Sequence, residues 1–375
     1  MKVTIHKLFD YLLETTASDP PECFIGFSLA RSPRLKDFLP DLDPDLSLDW
    51  NGVSFLGLPA LRQRVIDQAG LNATCAPDDV LITAGAAEAN YLLFRQLLSA
   101  GDAVITEAPG WPQAGVMAKA IGASLHEVPR DETNGWHLDP DAIAAAITPR
   151  TRMIFLTNPN NPTGRLIPEA DLRTLAALAD RHGIWLVVDE VYAGLEWDHP
   201  RPPSIAGLTP FGITTGSVSK ALGLQGLRTG WMICRTPGVI RDAMILRENS
   251  SEIMNSLGER IAEVALRPDR LAAALSRACD EGRQTLDRID QFVTAEPRLD
   301  WHRPQAGLIG LARLEGIDGE SLARRLLAAP YRTFVLPGSA YGCPNHIRLG
   351  AGGGPEARLE EGLTRLSALL HDWQA

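Results

Sequence analysis

The sequence predicts an α/β protein, with a large domain on a mainly parallel central sheet and a smaller α+β domain beside it. Three observations carry this expectation. From Leu71 onward, short β-branched runs alternate with Ala/Leu-rich stretches of helical period, the sequence form of βαβ units. The chain has 375 residues, more than one core usually holds. Beyond about Thr236 the alternation gives way to long helical stretches, which marks a second unit.

Residues 5–14 carry a helical pattern and residues 32–44 are rich in proline; this leading stretch does not resemble a unit that folds alone and is expected to pack on the C-terminal part. Val80–Thr83 reads as a short strand, followed by Gly85 and an amphipathic helix over residues 88–98. Residues 103–106, 153–157, 185–188 and 213–217 read as further buried strands, each ending in a polar or Gly/Pro turn. Helices lie between them, for example residues 168–182, with Gly183 as the stop signal. Residues 237–266 and 268–295 read as long helices, and residues 301–314 as strand and turn. The run Gly350-Ala-Gly-Gly-Gly-Pro355 lacks the Lys-Ser/Thr ending of a phosphate loop and reads as a flexible turn. The expected division is a large domain of residues 46–260 and a small domain of residues 1–45 plus 261–375.

Hydrophobic residues make up 45% and charged residues 22%, enough apolar surface for a large core. A formal net charge of -10 repels phosphate backbones and anionic headgroups, so neither nucleic acid nor membrane is an expected partner. Five scattered cysteines, without a CxxC pair or zinc-site spacing, fit a reducing cytoplasm. No run of about 18 apolar residues occurs, and the leading segment reads as unprocessed and soluble. His126, His137, His182 and His199 have no metal-like spacing, and Trp185 and Trp197 read as packing residues.

Lysine occurs only at positions 2, 7, 36, 119 and 220, so chemistry that needs a primary amine has few candidates. Lys220 sits in Gly216-Ser-Val-Ser-Lys-Ala-Leu-Gly-Leu-Gln-Gly-Leu-Arg-Thr-Gly-Trp231, directly after a strand. Desolvation and a nearby cation both disfavour the ammonium form there and make the amine nucleophilic. Ser217, Ser219 and Arg228 suit a phosphate, the serines as short donors and the arginine as a planar fork. Lysine beside a phosphate cradle points to pyridoxal phosphate held as a Schiff base. A surface lysine in a serine-rich turn is the other reading of these residues. At Ala84-Gly-Ala-Ala-Glu88 a helix begins after a strand, which offers N–H groups and a positive dipole end to a phosphate.

These segments, spread from about Gly52 to Gly350, resemble the class I/II aminotransferases of the fold-type I pyridoxal-phosphate enzymes. The resemblance implies pyridoxal 5'-phosphate as cofactor, with Lys220 as the Schiff-base lysine and proton shuttle. Leu186-Val-Val-Asp-Glu-Val-Tyr192 is similar to the family strand beneath the cofactor ring, so Asp189 would pair with the pyridinium nitrogen and Tyr192 with the phenolate oxygen. Asn158-Pro-Asn-Asn-Pro-Thr-Gly164 resembles the family turn whose asparagine, here Asn161, donates to that oxygen and borders the substrate. Gly85, Ala86 and Ala87 match the phosphate-binding helix start, without its usual hydroxyl side chains, and Trp111 matches the ring-stacking aromatic. Arg348, in His346-Ile-Arg-Leu-Gly350, resembles the arginine that grips the substrate α-carboxylate. Residues 25–33 loosely resemble the substrate-lining segment, which puts Gly26 at the substrate, with Ala30 and Arg31 where a glycine and a small or acidic residue are usual.

The family's inter-subunit tyrosine falls here on Gly52, ahead of Gly57-Leu-Pro-Ala-Leu-Arg62; Trp50 or Asn51 would have to substitute. The implied assembly is a homodimer. The implied reaction moves an amino group between an L-amino acid and a 2-oxo acid. Another pyridoxal-phosphate reaction on the same scaffold, such as elimination, decarboxylation, cyclisation or oxidation, stays open, because shared residues set cofactor electronics while the pocket selects the bond that breaks. A metabolite-sensing module and a cofactor-free binding protein are the readings from other classes. Asp10 or Glu14 would be the acidic groups to meet a basic substrate side chain.

Overall fold

A computed structural model of the chain describes Asp10, Leu13, residues 20–50 and residues 52–373. Most of residues 5–14, including Glu14, and Asn51 lie outside the described residues; Asp10 is helical and exposed.

A two-residue strand, Cys23–Phe24 (β1), precedes the main sheet. That sheet has seven strands: Val80–Thr83 (β2), Ala103–Ala108 (β3), Ser124–Pro129 (β4), Thr151–Thr157 (β5), Trp185–Asp189 (β6), Gly212–Ser217 (β7) and Gly230–Ile233 (β8). Their spatial order is β2-β8-β7-β6-β5-β3-β4, and all pairs are parallel except those that β8 makes with β2 and β7. Alternate residues of the central strands feed two cores. Val104, Met153 and Val187 pack with the helices Ala86–Leu97, Gln113–Ile121 and Val239–Arg247, while Ile105, Ile154 and Leu186 pack with Glu169–His182 on the other face. The chain adds β3 and β4 outward, then returns with β5 to the other side of β3. This reversal opens a crevice at the strand ends, where α/β sheets bind ligands.

The expected strands are all present, and the sheet adds two that the sequence reading did not name. β4 is an exposed edge with only Val128 buried, so it carries almost no apolar alternation. β8 is four buried residues that begin at the end of the lysine segment and run past it to Ile233. The helix expected at residues 88–98 begins at Ala86. The long helix expected at 237–266 is two, Val239–Arg247 and Ser256–Ala265. Between them Glu252 takes a left-handed φ of 56° and Asn255 caps the second helix by accepting from the Gly258 N–H. Arg247 turns inward to the carbonyls of Ile82 and Phe55, a tertiary demand that no period reveals.

Beyond it, Pro268–Ala295 forms the 28-residue helix as expected, and Leu275 on it touches both the main-sheet core and the C-terminal core. Leu299–Trp301 (β9), Ile309–Leu314 (β10), Thr333–Phe334 (β11), Leu336–Pro337 (β12) and His346–Gly350 (β13) follow. An antiparallel sheet runs β12-β13-β10-β9, and β11 pairs in parallel with β1. Cys23–Phe24 therefore packs on the C-terminal part, whereas Phe38 joins the main-sheet core with Leu58 and Ile82.

The glycine run at 350–354 is not a flexible turn. Gly350, Gly352 and Gly353 donate their N–H groups to the carbonyls of Ile25, Phe27 and Leu29 at 2.8, 3.2 and 2.9 Å. A Cβ on Gly350 would lie 2.0 Å from the Phe27 carbonyl oxygen, and one on Gly352 would lie 2.4 Å from that of Leu29. The run is a seam that admits the N-terminal segment at a separation only glycine permits. Among the described residues, no helix is long and apolar enough to cross a membrane.

Candidate active site

The crevice at the ends of β5, β6 and β7 holds a cleft of about 430 Å³. Twelve of the candidates named from the sequence line it, Lys220, Asp189, Tyr192, Asn161, Arg348, Trp111, Ser217, Ser219, Arg228, Gly85, Ala86 and Ala87, while Gly26, Trp50 and Asp10 do not. Positions scattered over more than 260 residues thus converge: all but Arg348 lie at or beside strand ends and a helix start of the seven-stranded sheet, and Arg348 comes from β13 of the C-terminal sheet.

Lys220 leaves β7 after a buried Val218 and projects its Nζ to within 3.4 Å of Ser28 Oγ, 6.0 Å from the centre of the Tyr192 ring. Its pKa falls from 10.5 to about 8, first because of burial and then because of the Arg348 charge, with Asp189 opposing and Arg228 adding least. Sequence reasoning had assigned the cationic influence to Arg228; the fold brings Arg348 into the stronger position.

Asp189 ends β6 fully inside the protein, and burial lifts its pKa to about 6. Asn90 Nδ2 donates to Asp189 Oδ2 at 2.9 Å and is the largest influence holding that pKa down. Asn90 is itself oriented by the Thr215 hydroxyl, which donates to its Oδ1 at 2.8 Å. Sequence reasoning missed Asn90, although a signal existed: it is a polar residue on the apolar face that Ala89, Leu92 and Leu93 define on the same helix. The Tyr192 hydroxyl is buried without a regular hydrogen bond, and Ser28 offers it only weak stabilisation.

At the other end of the cleft the helix Ala86–Leu97 starts from Gly85, with φ of 84° and no side-chain cap. The N–H groups of Glu88 and Ala89 return to the Gly85 carbonyl, so those of Ala86 and Ala87 precede the first helical bond. Arg228 closes this corner: Nη2 donates to the Ala84 carbonyl at 3.2 Å, and a Cβ on Gly85 would come 2.6 Å from the same nitrogen. Ser217 Oγ accepts from the Ser219 N–H at 3.2 Å. Gly52 is exposed and makes no approach to the cleft, and Trp50 stacks on Phe55 with ring centres 4.9 Å apart.

Arg348 stands on β13 with its guanidinium buried. Nη1 donates to Asn161 Oδ1 at 3.1 Å and to the Tyr341 hydroxyl at 2.7 Å, while Nη2 donates to the Gly26 carbonyl at 2.8 Å. Gly26 therefore serves the arginine from behind, and Phe27, Ser28 and Leu29 are the residues of that segment that line the cleft. Of the five guanidinium N–H groups, those of Nε and one on Nη2 remain, and Nε is buried without a partner. Among the described residues no carboxylate pairs with Arg348 or Arg228. Two cations without counter-ions, at opposite ends of one cleft, make it a receptor for a dianionic or twice-anionic guest.

These features fit pyridoxal phosphate joined to an amino acid. A helix start and an arginine suit the phosphate, a buried carboxylate suits a protonated ring nitrogen, an orphaned tyrosine hydroxyl suits the ring oxygen, and the second arginine suits a carboxylate. Among the described residues no cluster of His, Cys, Asp or Glu suits a metal.

Fold and site together define a fold-type I pyridoxal-phosphate enzyme. The comparisons with known proteins narrow this further: a family model described as aminotransferase class I and II matches residues 51–366, and the chain belongs to that family. It is a pyridoxal-phosphate-dependent aminotransferase. An arginine–pyruvate transaminase of Pseudomonas aeruginosa is 32% identical over 307 residues, covering 78% of this chain and 76% of the relative. Capreomycidine synthase of Streptomyces vinaceus is 30% identical over 295 residues, covering 78% and 74%. A double mutant of Thermus thermophilus aspartate aminotransferase superposes with a TM-score of 0.87 at 26% identity, over 98% of this chain and 97% of that one.

Proposed function

We propose that this aminotransferase acts on its amino and oxo acids through the twelve cleft residues above, with Lys220 as the reacting amine. The observation that carries this reading is the meeting of a deprotonation-prone lysine, a buried aspartate and a counter-ion-free arginine in one cleft. Pyridoxal phosphate, when bound, supplies an electron-withdrawing ring that acidifies the Cα proton of an amino acid joined to it.

Lys220 Nζ, neutral above about pH 8, would be the group that takes the Cα proton and, once protonated, gives a proton back, serving as base and then as acid. Asp189 holds the ring nitrogen protonated, and Asn90 holds Asp189. Asn161 has its Oδ1 committed to Arg348, so its Nδ2 is the donor it offers to the ring oxygen, alongside Tyr192. Arg348 would hold the substrate by its α-carboxylate and so fix the orientation of its Cα bonds. The amides of Ala86 and Ala87, the hydroxyls of Ser217 and Ser219, and Arg228 would hold the phosphate, and Trp111 would supply an aromatic contact to the cofactor.

The same reading divides the chain into a large domain of residues 46–260 and a small one of residues 1–45 plus 261–375. Five free cysteines favour the cytoplasm. Phe55 and Ile253, both exposed, flank one shallow pocket with Trp50, and Leu48 and Val53 are exposed nearby in sequence, an apolar surface that favours a homodimer. The similarity to capreomycidine synthase sustains a second reading, another reaction on the same scaffold.

Purified protein mixed with a panel of L-amino acids, with cofactor spectrum and products followed together, separates the two. Accumulation of the pyridoxamine form with a 2-oxo acid is expected; ammonia, carbon dioxide or a cyclised product in its place would overturn the transamination roles. Lys220→Ala is expected to abolish turnover and keep the fold, and full activity in that variant would refute the assignment of Lys220.

A further inference from the structure

Segment 25–30 borders Lys220 from the N-terminal side. It is clamped along two edges. On one, the glycine seam takes the carbonyls of Ile25, Phe27 and Leu29; on the other, the Ala30 N–H donates to the carbonyl of Lys220 itself at 3.0 Å. Between these ties sits Ser28, whose side chain lines the cleft and whose residue is 6% exposed. Its Oγ lies 3.4 Å from Lys220 Nζ and, among the described residues, is the hydrogen-bond partner of that nitrogen.

A free lysine amine swings on four rotatable bonds, and a rigidly clamped hydroxyl restricts it at small entropic cost. We propose that Ser28 is a positioning residue for the reacting amine: the glycine seam seats it so that its hydroxyl holds Lys220 Nζ at the cleft floor whenever the amine is free. The inference rests on the reading of Lys220 as that amine. It also gives the glycine run a function: the seam sets the depth to which Ser28 enters.

The groups that face Nζ are Arg348 on β13, Asp189 at the end of β6, Tyr192 just beyond it, and Arg228 ahead of β8. Ser28 contributes a hydrogen bond that Nζ donates when charged, so it favours the ammonium form against burial and the two arginines. Its removal therefore makes Lys220 easier to deprotonate.

The test uses the full-length chain freed of cofactor, trace-labelled with an amine-reactive reagent from about pH 6 to about pH 10 and mapped by mass spectrometry. With so few lysines the readout is clean, and exposed Lys119 on the helix Gln113–Ile121 is the internal reference. In the natural protein Lys220 is expected to label with a midpoint near pH 8, below the ordinary lysine value. Ser28→Ala is expected to lower the Lys220 midpoint further and raise its labelling rate at neutral pH by about threefold or more, with Lys119 unchanged. Ser28→Thr, which keeps the hydroxyl, is expected to restore the natural midpoint. An Ala variant that labels like the natural protein, or a Thr variant that labels like the Ala variant, would overturn the role of Ser28 while leaving Lys220 in place. A natural protein whose Lys220 labels with the midpoint of an ordinary lysine, about 10.4, would overturn the parent reading and this one with it.

Discussion

At the scale of single residues, the site is a set of charges held where water would normally screen them. Lys220 costs the cofactor-free fold stability, because its pKa drops from 10.5 to about 8 on folding. The unfolded chain binds its proton more tightly, so the penalty is complete below about pH 8 and fades as pH climbs toward the unfolded value. Lys220→Met in cofactor-free protein is accordingly expected to raise Tm at pH 7, with an upper bound of about 3 kcal/mol. Melting curves at neutral and at strongly alkaline pH check this: the gain should shrink at high pH, and a constant gain would mean that packing, not charge, is responsible. Asn90 works in the opposite sense on Asp189, whose pKa of about 6 would climb further without the 2.9 Å hydrogen bond. Asn90→Ala should weaken pyridoxal-phosphate binding about tenfold, more steeply as pH falls toward 6 and the carboxylate protonates. Spectroscopic titration of cofactor into the resolved protein measures both effects. Unchanged affinity at all pH values would remove Asn90 from the account.

At the scale of elements, the N-terminal segment and the glycine seam carry the clearest consequence. A Cβ at position 352 would meet Leu29 O at 2.4 Å and Leu29 N at 2.5 Å, both backbone atoms that cannot swing aside. Gly352→Ala is therefore expected to cost about 2 kcal/mol or more and to lift residues 25–30 from the cleft. Urea denaturation gives the first quantity. Proteolysis between residues 20 and 33 gives the second, and a variant as resistant as the natural protein would count against the seam. The elements themselves were largely legible. The buried strands β2, β3, β5, β6 and β7 are short β-branched runs, and the helix Glu169–His182 is closed by Gly183 at φ 62°, as its stop signal implied. Edge strand β4 was not legible because solvent on its outer side removes the need for apolar residues. The break between Arg247 and Ser256 is made by the polar run Glu248-Asn-Ser-Ser-Glu252, the left-handed Glu252 and the Asn255 cap, signals that a reading by hydrophobic period alone passes over.

At the scale of the molecule, the cleft opens between the seven-stranded sheet and the C-terminal sheet, and Leu275 on the long helix Pro268–Ala295 packs against both cores. The exposed apolar group around Phe55 and Ile253 lies on the same stretch as Gly52, where the resemblance expected a residue reaching across a subunit boundary. Phe55→Asp is expected to shift a dimer toward monomer in sedimentation velocity, with loss of cofactor retention if the sites lie at the boundary. A natural protein that sediments as a monomer at micromolar concentration would remove the dimer from the proposed function.

The sequence by itself determined the α/β class, the family and twelve of the residues that line the cleft, since these are written in local periods, in strand-end motifs and in the scarcity of lysine. Tertiary structure alone decided that Ser28 meets Lys220 across 192 positions, that Asn161 braces Arg348 across 187, and that Gly26 supports the arginine from behind. Such contacts depend on how the N-terminal segment closes onto the C-terminal sheet, and that closure follows from burial and backbone approach summed over distant segments, which no local pattern records.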